Sequence, residues 1–316
     1  MLWLIAVLLS FLLPVIYRNP YHIEVVASAG LYAILALGLN IVVGLTGLLH
    51  LGYAAFFAIG AYTYALCNVH LGCPFWVGLL PATVVGGLCG MVLGIPAIRV
   101  RGDYLAIVTL GFGEIVRITF TNLERFTGGP NGLLGIDHPT LWIPGRGIYD
   151  FGVRSVPYYY VIVVVMWLVA VGCLRLSGSR IGRAWAAIRE DELAASCSGI
   201  NIARLKLVAL GVAAAIAGLG GAIFAAKQGT ITPDSFDFIL SVMILAMVVL
   251  GGLGSVPGAM LGALVLGTLP ELLRGFEQFR MLLFGLVMII MMRARPQGLL
   301  GNVQIRRELL VRSDTA

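Results

Sequence analysis

Between Met1 and Ile98 the chain carries only two Asp, Glu, Lys or Arg residues, Arg18 and Glu24. That is far too few to cover the surface of a water-soluble domain, in which about a quarter of the residues are charged. The shortage runs through the whole chain, where 11% of 316 residues are charged and 59% are hydrophobic. The class this dictates is an all-α polytopic membrane protein, organised as one transmembrane domain over residues 1–316. A span needs about 20 mainly apolar residues, and fewer where protein replaces lipid around it. Ten spans are expected: Leu2–Ile16, Val25–Val43, Leu51–Val69, Phe75–Ile98, Tyr104–Leu123, Pro157–Leu174, Leu205–Ala226, Phe238–Leu253, Gly258–Leu273 and Phe279–Met292. The last three are short, so one or two are expected to be half-helices. The first, MLWLIAVLLSFLLPVIYRNP, lacks a basic n-region and a small-residue cleavage site and reads as a retained span. Forty-one glycines suit helices whose backbones approach closely.

Charge then orients the spans. Thirteen Lys/Arg fall in the loops and tail of one side, and seven on the other, with Arg117 inside a span. The positive-inside bias places both termini in the cytoplasm, with residues 294–316 as a tail and residues 124–156 as an external loop. The net charge of +6 is mostly arginine in such loops, which argues against nucleic-acid binding. The richest loop, residues 175–206, holds six basic residues and the acidic run Glu190, Asp191, Glu192. Trp185, Ile188 and Leu193 recur in it at helical spacing, so an amphipathic helix over Arg183–Gly199 is expected, stopped by Gly199. Two readings stay open: a basic helix lying on the lipid surface, or a docking element for a soluble partner. Docking gives the small residues Ala194, Ala195 and Gly199 a purpose, because they let a helix sit deep in a groove while Arg189 and Glu192 fix its register, flanked by Arg183, Glu190 and Asp191.

Three further stretches bear on function. GLNIVVGLTGLLHLGYAAFFAIGAY, from Gly38 to Tyr62, interrupts an apolar run with Gly44, Thr46, Gly47, His50 and Gly52. A glycine-rich break there predicts a discontinuous helix lining a cavity, because irregular backbone cannot face lipid. Asn40, Gly44, Thr46, Gly47 and His50 are its pathway candidates, His50 by itself reading as a satisfied structural histidine. AMVVLGGLGSVPGAMLGALVLG repeats the pattern faintly on the far side of the central loop. In RGDYLAIVTLGFGEIVR, Glu114 and Arg117 lie three apart on one side of a helix and inside a span. Charges there are costly and mark either a pathway or a self-neutralising pair between helices. TGGPNGLLGI, from Thr127 to Ile136, is a strong turn signal in the external loop.

Cys67, Cys73, Cys89, Cys173 and Cys197 have no metal-ligand spacing; Cys67 and Cys73 are placed to pair outside the membrane, though free thiols suit their apolar setting better. Both lysines, Lys206 and Lys227, lack a preceding glycine, so there is no Walker A loop, and no HExxH, CxxC or GxSxG occurs. No catalytic residue, metal site or cofactor of the chain's own is expected. The energy for any transport must come from a gradient or a partner.

LAASCSG, from Leu193 to Gly199, resembles the EAA loop of ATP-binding-cassette (ABC) importer permeases, with Leu193 where the glutamate stands and Glu192 displaced by one. The wider string GRAWAAIREDELAASCSGINIARLKL, with the three stretches above, resembles the M-type permease subunit of branched-chain amino acid ABC transporters, from about Gly38 to Gly301. The resemblance implies a coupling helix at Arg183–Gly199 and a second homologous permease subunit. It also implies two ATPase subunits that use ATP and Mg, and a periplasmic binding protein selecting leucine, isoleucine or valine. Urea and short-amide permeases share much of the pattern, so the solute stays open. The rival readings are an ion-coupled secondary transporter titrating Glu114 and a membrane scaffold or sensor.

Overall fold

The spans stop where glycine, proline or a side-chain cap gives the chain a reason to turn. The computed structural model describes residues 2–16, 19–97, 100, 103–143, 147–152 and 154–272, with 285, 286, 289, 293 and 298–300 beyond them. Its helices are α1 Leu2–Ile16, α2 Pro20–Asn40, α3 Tyr53–Leu71, α4 Phe75–Ala97, α5 Asp103–Asn122, α6 Glu124–Thr127, α7 Ser155–Ser177, α8 Arg180–Glu190, α9 Glu192–Cys197, α10 Ile202–Gln228, α11 Phe238–Gly251 and α12 Val256–Leu272. Among the described residues, seven helical segments are long and apolar enough to cross a membrane. α1, with 15 residues, and α12, with 17, are shorter apolar helices. Nine of the ten expected spans therefore meet a helix, while Phe279–Met292 and the 294–316 tail fall almost wholly outside the described residues. The polytopic all-α class holds.

Two antiparallel ribbons, which the residue pattern does not announce, accompany the helices. β1 Leu133–Leu134 pairs with β4 Thr230–Ile231, and β2 Thr140–Ile143 with β3 Gly147–Asp150. The first ribbon pins the Gly-Gly-Pro-Asn-Gly turn to the end of α10, so that stretch is a structural joint as well as a turn.

The core forms around α10, a 27-residue helix with buried alanine and glycine along most of its length. α4 shows how composition sets the contact. Ala82, Gly86, Gly90 and Gly94 recur every fourth residue and face α10, where a Cβ on Gly86 would come within 2.9 Å of the Ala214 carbonyl oxygen. The large residues Val77, Leu80, Val84, Leu88, Val92 and Ile95 cover the opposite, exposed face. Without a hydrophobic drive between helices in lipid, this close backbone approach is what supplies the attraction. α3 meets α10 likewise: Gly60 and Gly221 leave no room for a Cβ against the facing backbone. Both lysines anchor α10. Lys206 donates to Glu192 Oε1 at 2.6 Å at one end, and Lys227 meets Glu24 Oε1 at 2.6 Å and Ser28 Oγ at 2.8 Å at the other.

A candidate coupling and translocation site

α2 does not end at Asn40 but widens into a π-helical turn, Ile41–Leu45, before the chain runs non-helically to the start of α3. Gly47 supplies the required left-handed residue, at φ +74°. Such a break leaves backbone donors and acceptors without helical partners, and inside a membrane they need protein ones. They have them. Thr46 Oγ1 donates to the Val42 carbonyl at 2.6 Å. Leu51 N donates to Thr109 Oγ1 of α5 at 3.0 Å, and Ala54 N to Ser241 Oγ of α11 at 2.9 Å. The Gly44 carbonyl accepts from Arg189 Nη1 at 2.5 Å.

The second glycine-rich break, between α11 and α12, lies against the first. Gly254 N donates to Asn40 Oδ1 at 2.9 Å, and a Cβ on Gly44 would overlap the Gly254 backbone. The faint internal repeat thus brings its two breaks into contact. The pathway candidates Asn40, Gly44, Thr46, Gly47 and His50 are gathered here, but His50 departs from expectation. It is buried between Tyr53 and Phe56, and its Nδ1 has no hydrogen-bond partner among the described residues. Its ring packs against both aromatic neighbours.

The central loop forms two helices where one was expected. Asp191 divides them: it ends α8, and its Oδ1 accepts from Leu193 N at 2.7 Å and Ala194 N at 3.1 Å to cap α9. Gly199, at φ +81°, closes the turn, and Asn201 Oδ1 caps α10 by accepting from Arg204 N at 3.1 Å. Trp185 and Ile188 are buried, the Trp185 indole donating to the Leu205 carbonyl at 2.9 Å. Arg189, Glu192 and Ala195 all turn toward the chain's own body: Arg189 to Gly44, Glu192 to Lys206, and Ala195 into the core. Arg183, Glu190, Asp191, Ala194 and Gly199 stay on the outer face, Arg183 bonded to the Gly178 carbonyl at 2.9 Å. Beside them Leu193 is 72% exposed.

Glu114 and Arg117 form the expected pair on α5. Arg117 Nε donates to Glu114 Oε1 and Oε2 at 3.1 and 3.2 Å, and Nη2 to Oε1 at 2.5 Å. A third charge joins them, because Arg117 Nη1 also donates to Asp234 Oδ1 at 3.1 Å. Asp234 belongs to the 3₁₀ turn Pro233–Phe236, whose Phe236 is buried against Phe57 and Phe224. Glu114 also lines a narrow, water-sized cleft with Leu51, Ala54, Leu110, Phe238 and Ser241, immediately beyond the first break. Thr109, Ser241 and Asp234 are the contributors that the pattern of residues did not single out. The signal is slight: Ser241 is the lone hydroxyl residue of α11, and Thr109 is one of three threonines in α5.

Cys67, Cys73, Cys89, Cys173 and Cys197 are free thiols. Among the described residues no group of three His, Cys, Asp or Glu is placed to hold a metal ion.

Broken spans whose loose backbone is held by protein groups, joined to a polar helix pair outside the apolar body, define a membrane transport subunit. The chain belongs to the family of branched-chain amino acid transport system permease components, whose model matches residues 21–292. It is 45% identical to the high-affinity branched-chain amino acid transport system permease protein LivM of Salmonella typhimurium over 295 residues, which cover 88% of this chain and 69% of that protein. The LivM protein of Escherichia coli matches with the same identity and coverage. Identity falls to 27% with the high-affinity branched-chain amino acid transport system permease protein BraD of Pseudomonas aeruginosa, over 87% of this chain and 93% of that protein. No solved structure matches the chain. The M-type resemblance read from the loop and the glycine-rich breaks is therefore correct.

Proposed function

We propose that the chain is the transmembrane permease of an ATP-driven importer that carries leucine, isoleucine and valine across the bacterial inner membrane. Its closest support is the 45% identity to proteins named as high-affinity branched-chain amino acid permeases. In this reading the ATP is hydrolysed, with Mg, by two separate ATPase subunits, and α8–α9 receives their motion through its outer face. Both termini and that face lie in the cytoplasm, and the ribboned loop of residues 124–156 lies outside, toward a periplasmic binding protein.

A second, homologous permease subunit completes the path. Only 17% of the apolar window of α5 is buried, against 78% for the span beginning with α2, yet α5 carries the half-exposed Glu114–Arg117 pair. An ion pair in a span is held away from lipid, against protein or a water-filled path, which supports a second subunit there. Arg117 makes three hydrogen bonds to Glu114, which favours an ion pair over a proton-carrying acid and so favours ATP over an ion gradient.

The deciding experiment is uptake in a bacterial strain stripped of its own branched-chain importers, with the second permease subunit present throughout and the binding protein and ATPase subunits supplied. Labelled leucine should enter only when both are present, and valine or isoleucine should compete while urea does not. Urea uptake without leucine uptake would move the chain to the amide branch of its family. Leucine uptake that persists without the ATPase and collapses with the proton gradient would make it a secondary transporter.

A further inference from the structure

The outer face of α8–α9 can receive motion from a partner, but that motion needs a route into the membrane. We infer that Arg189 is that route: its side chain clasps both glycine-rich breaks at once and moves them with α8. This deepens the function proposed above and rests on it. Three observations place Arg189 at the joint. Its Nη1 donates at 2.5 Å to the Gly44 carbonyl, in the π-helical turn where span two comes undone. Its Cγ is so close to Gly47 that a Cβ there would lie 3.1 Å away. Its Nη1 would come 3.3 Å from a Cβ on Gly254, the turn residue of the second break.

The two breaks are also tied directly, by Gly254 N donating to Asn40 Oδ1 at 2.9 Å. Arg189 and Asn40 therefore form one junction with three parties: α8, the α2–α3 break and the α11–α12 break. Stiffness on the α8 side comes from burial. Trp185, one turn earlier on α8, is fully buried and bonded to the Leu205 carbonyl, so α8 tilts as a unit with the start of α10. The other side is soft. Of the groups that hold the first break, Thr109 and Ser241 reach from α5 and α11, so a displaced Gly44 alters the cleft beside Glu114 through elements already bonded to it. A guanidinium suits this place because it is always charged, has several donors and is rigid, whereas a lysine has one ammonium on a flexible stem.

Arg189 is thus a positioning residue, distinct from the outer residues that meet a partner. The test uses the whole importer, with both permeases, the ATPase subunits and the binding protein, reconstituted in proteoliposomes and read as leucine delivered per ATP hydrolysed. Arg189→Gln should lower that ratio about tenfold or more, the scale of one lost charge-assisted hydrogen bond, while the ATPase still co-purifies. Arg189→Lys should restore part of it. Asn40→Ala should act in the same direction, and the double variant should be no worse than the more severe single one, because both cut one junction. An unchanged ratio in Arg189→Gln overturns the inference. So does a loss of transport matched by loss of folded protein at constant ratio, which marks a merely structural clamp. Loss of ATPase co-purification overturns it too, since Arg189 would then belong to the docking face, as does strict additivity of the two substitutions. Should Arg189→Gln fail to fold, Arg189→Lys and Asn40→Ala carry the same ratio test. If the unaltered importer shows no ATP-driven leucine uptake, the function proposed above fails first, an outcome separate from coupled transport that survives Arg189→Gln.

Discussion

Arg117 balances two carboxylates that differ sharply in setting. Glu114 is 41% exposed at its side chain and shares three hydrogen bonds with the guanidinium, whereas Asp234 is 80% exposed and shares one. Well-exposed ion pairs contribute about 0–1 kcal/mol, so Asp234→Asn should leave transport and melting temperature nearly unchanged. Glu114→Gln should cost more, on the order of 1–3 kcal/mol, since it leaves the arginine with only its exposed partner. Thermal melting of the detergent-solubilised protein measures this directly. Replacing Glu114 and Arg117 together by glutamine should recover part of the loss, because an unpaired charge in a span costs more than two neutral amides. A double variant no better than Glu114→Gln would mean that each side chain acts separately, one of them on solute. The pair itself is legible from the i, i+3 spacing. Asp234 is not, because nothing local says that a 3₁₀ turn 117 residues away comes to rest on α5.

At the scale of elements, the small-residue stripe of α4 makes the sharper prediction. Gly90 faces Leu210 and Ala214 of α10 with no room for a Cβ, so Gly90→Leu should overpack the contact by about 1–3 kcal/mol. Leu88, on the same helix, is 56% exposed on the outer face, and Leu88→Ala should change little. Folded yield and melting temperature of the two variants check this, and equal losses would contradict the packing assigned to α4. The cap at Asp191 gives a smaller effect: Asp191→Ala should cost about 0.5–2 kcal/mol locally by freeing the first N–H groups of α9, seen as faster hydrogen exchange there. These elements also show what can be read from residues alone. Helix existence and the break at Gly44–Gly52 are legible because glycine density and apolar length are local properties. The division of the loop into α8 and α9 is hidden, because Asp191 looks like any loop acid until its carboxylate turns back onto Leu193 N. The inward turn of Arg189, Glu192 and Ala195 is equally hidden, since a helical period shows which residues share a face but not which face meets the body of the protein.

On the scale of the whole molecule, orientation and docking are linked, because α8–α9 can meet an ATPase only from the cytoplasm. Reporter fusions after Ser177 and after Asn302 should report cytoplasm, and one after Pro130 periplasm; a reversal at any site breaks the ten-span topology. Docking is then tested on the face that the structure leaves open. Ala195 is unsuited to this, because it is buried in the chain's own core and Ala195→Trp would disturb the fold first. Gly199 is exposed but left-handed, so Gly199→Leu mixes backbone strain with bulk. Leu193 and Ala194 carry neither complication, both being exposed on α9 beside its cap. An apolar knob that is 72% exposed next to small residues fits a groove in a protein partner, with the knob filling it. Leu193→Asp and Ala194→Trp should therefore abolish pull-down of the ATPase subunits and leucine-stimulated ATP hydrolysis, while Arg180→Gln, one of several basic residues, should be mild. A helix lying on lipid requires the opposite order. Tryptophan would bury in the headgroup region and be tolerated, while each lost arginine would weaken membrane association by about 1 kcal/mol. Normal pull-down with both Leu193→Asp and Ala194→Trp would remove α9 from the docking face and leave the lipid surface as its seat.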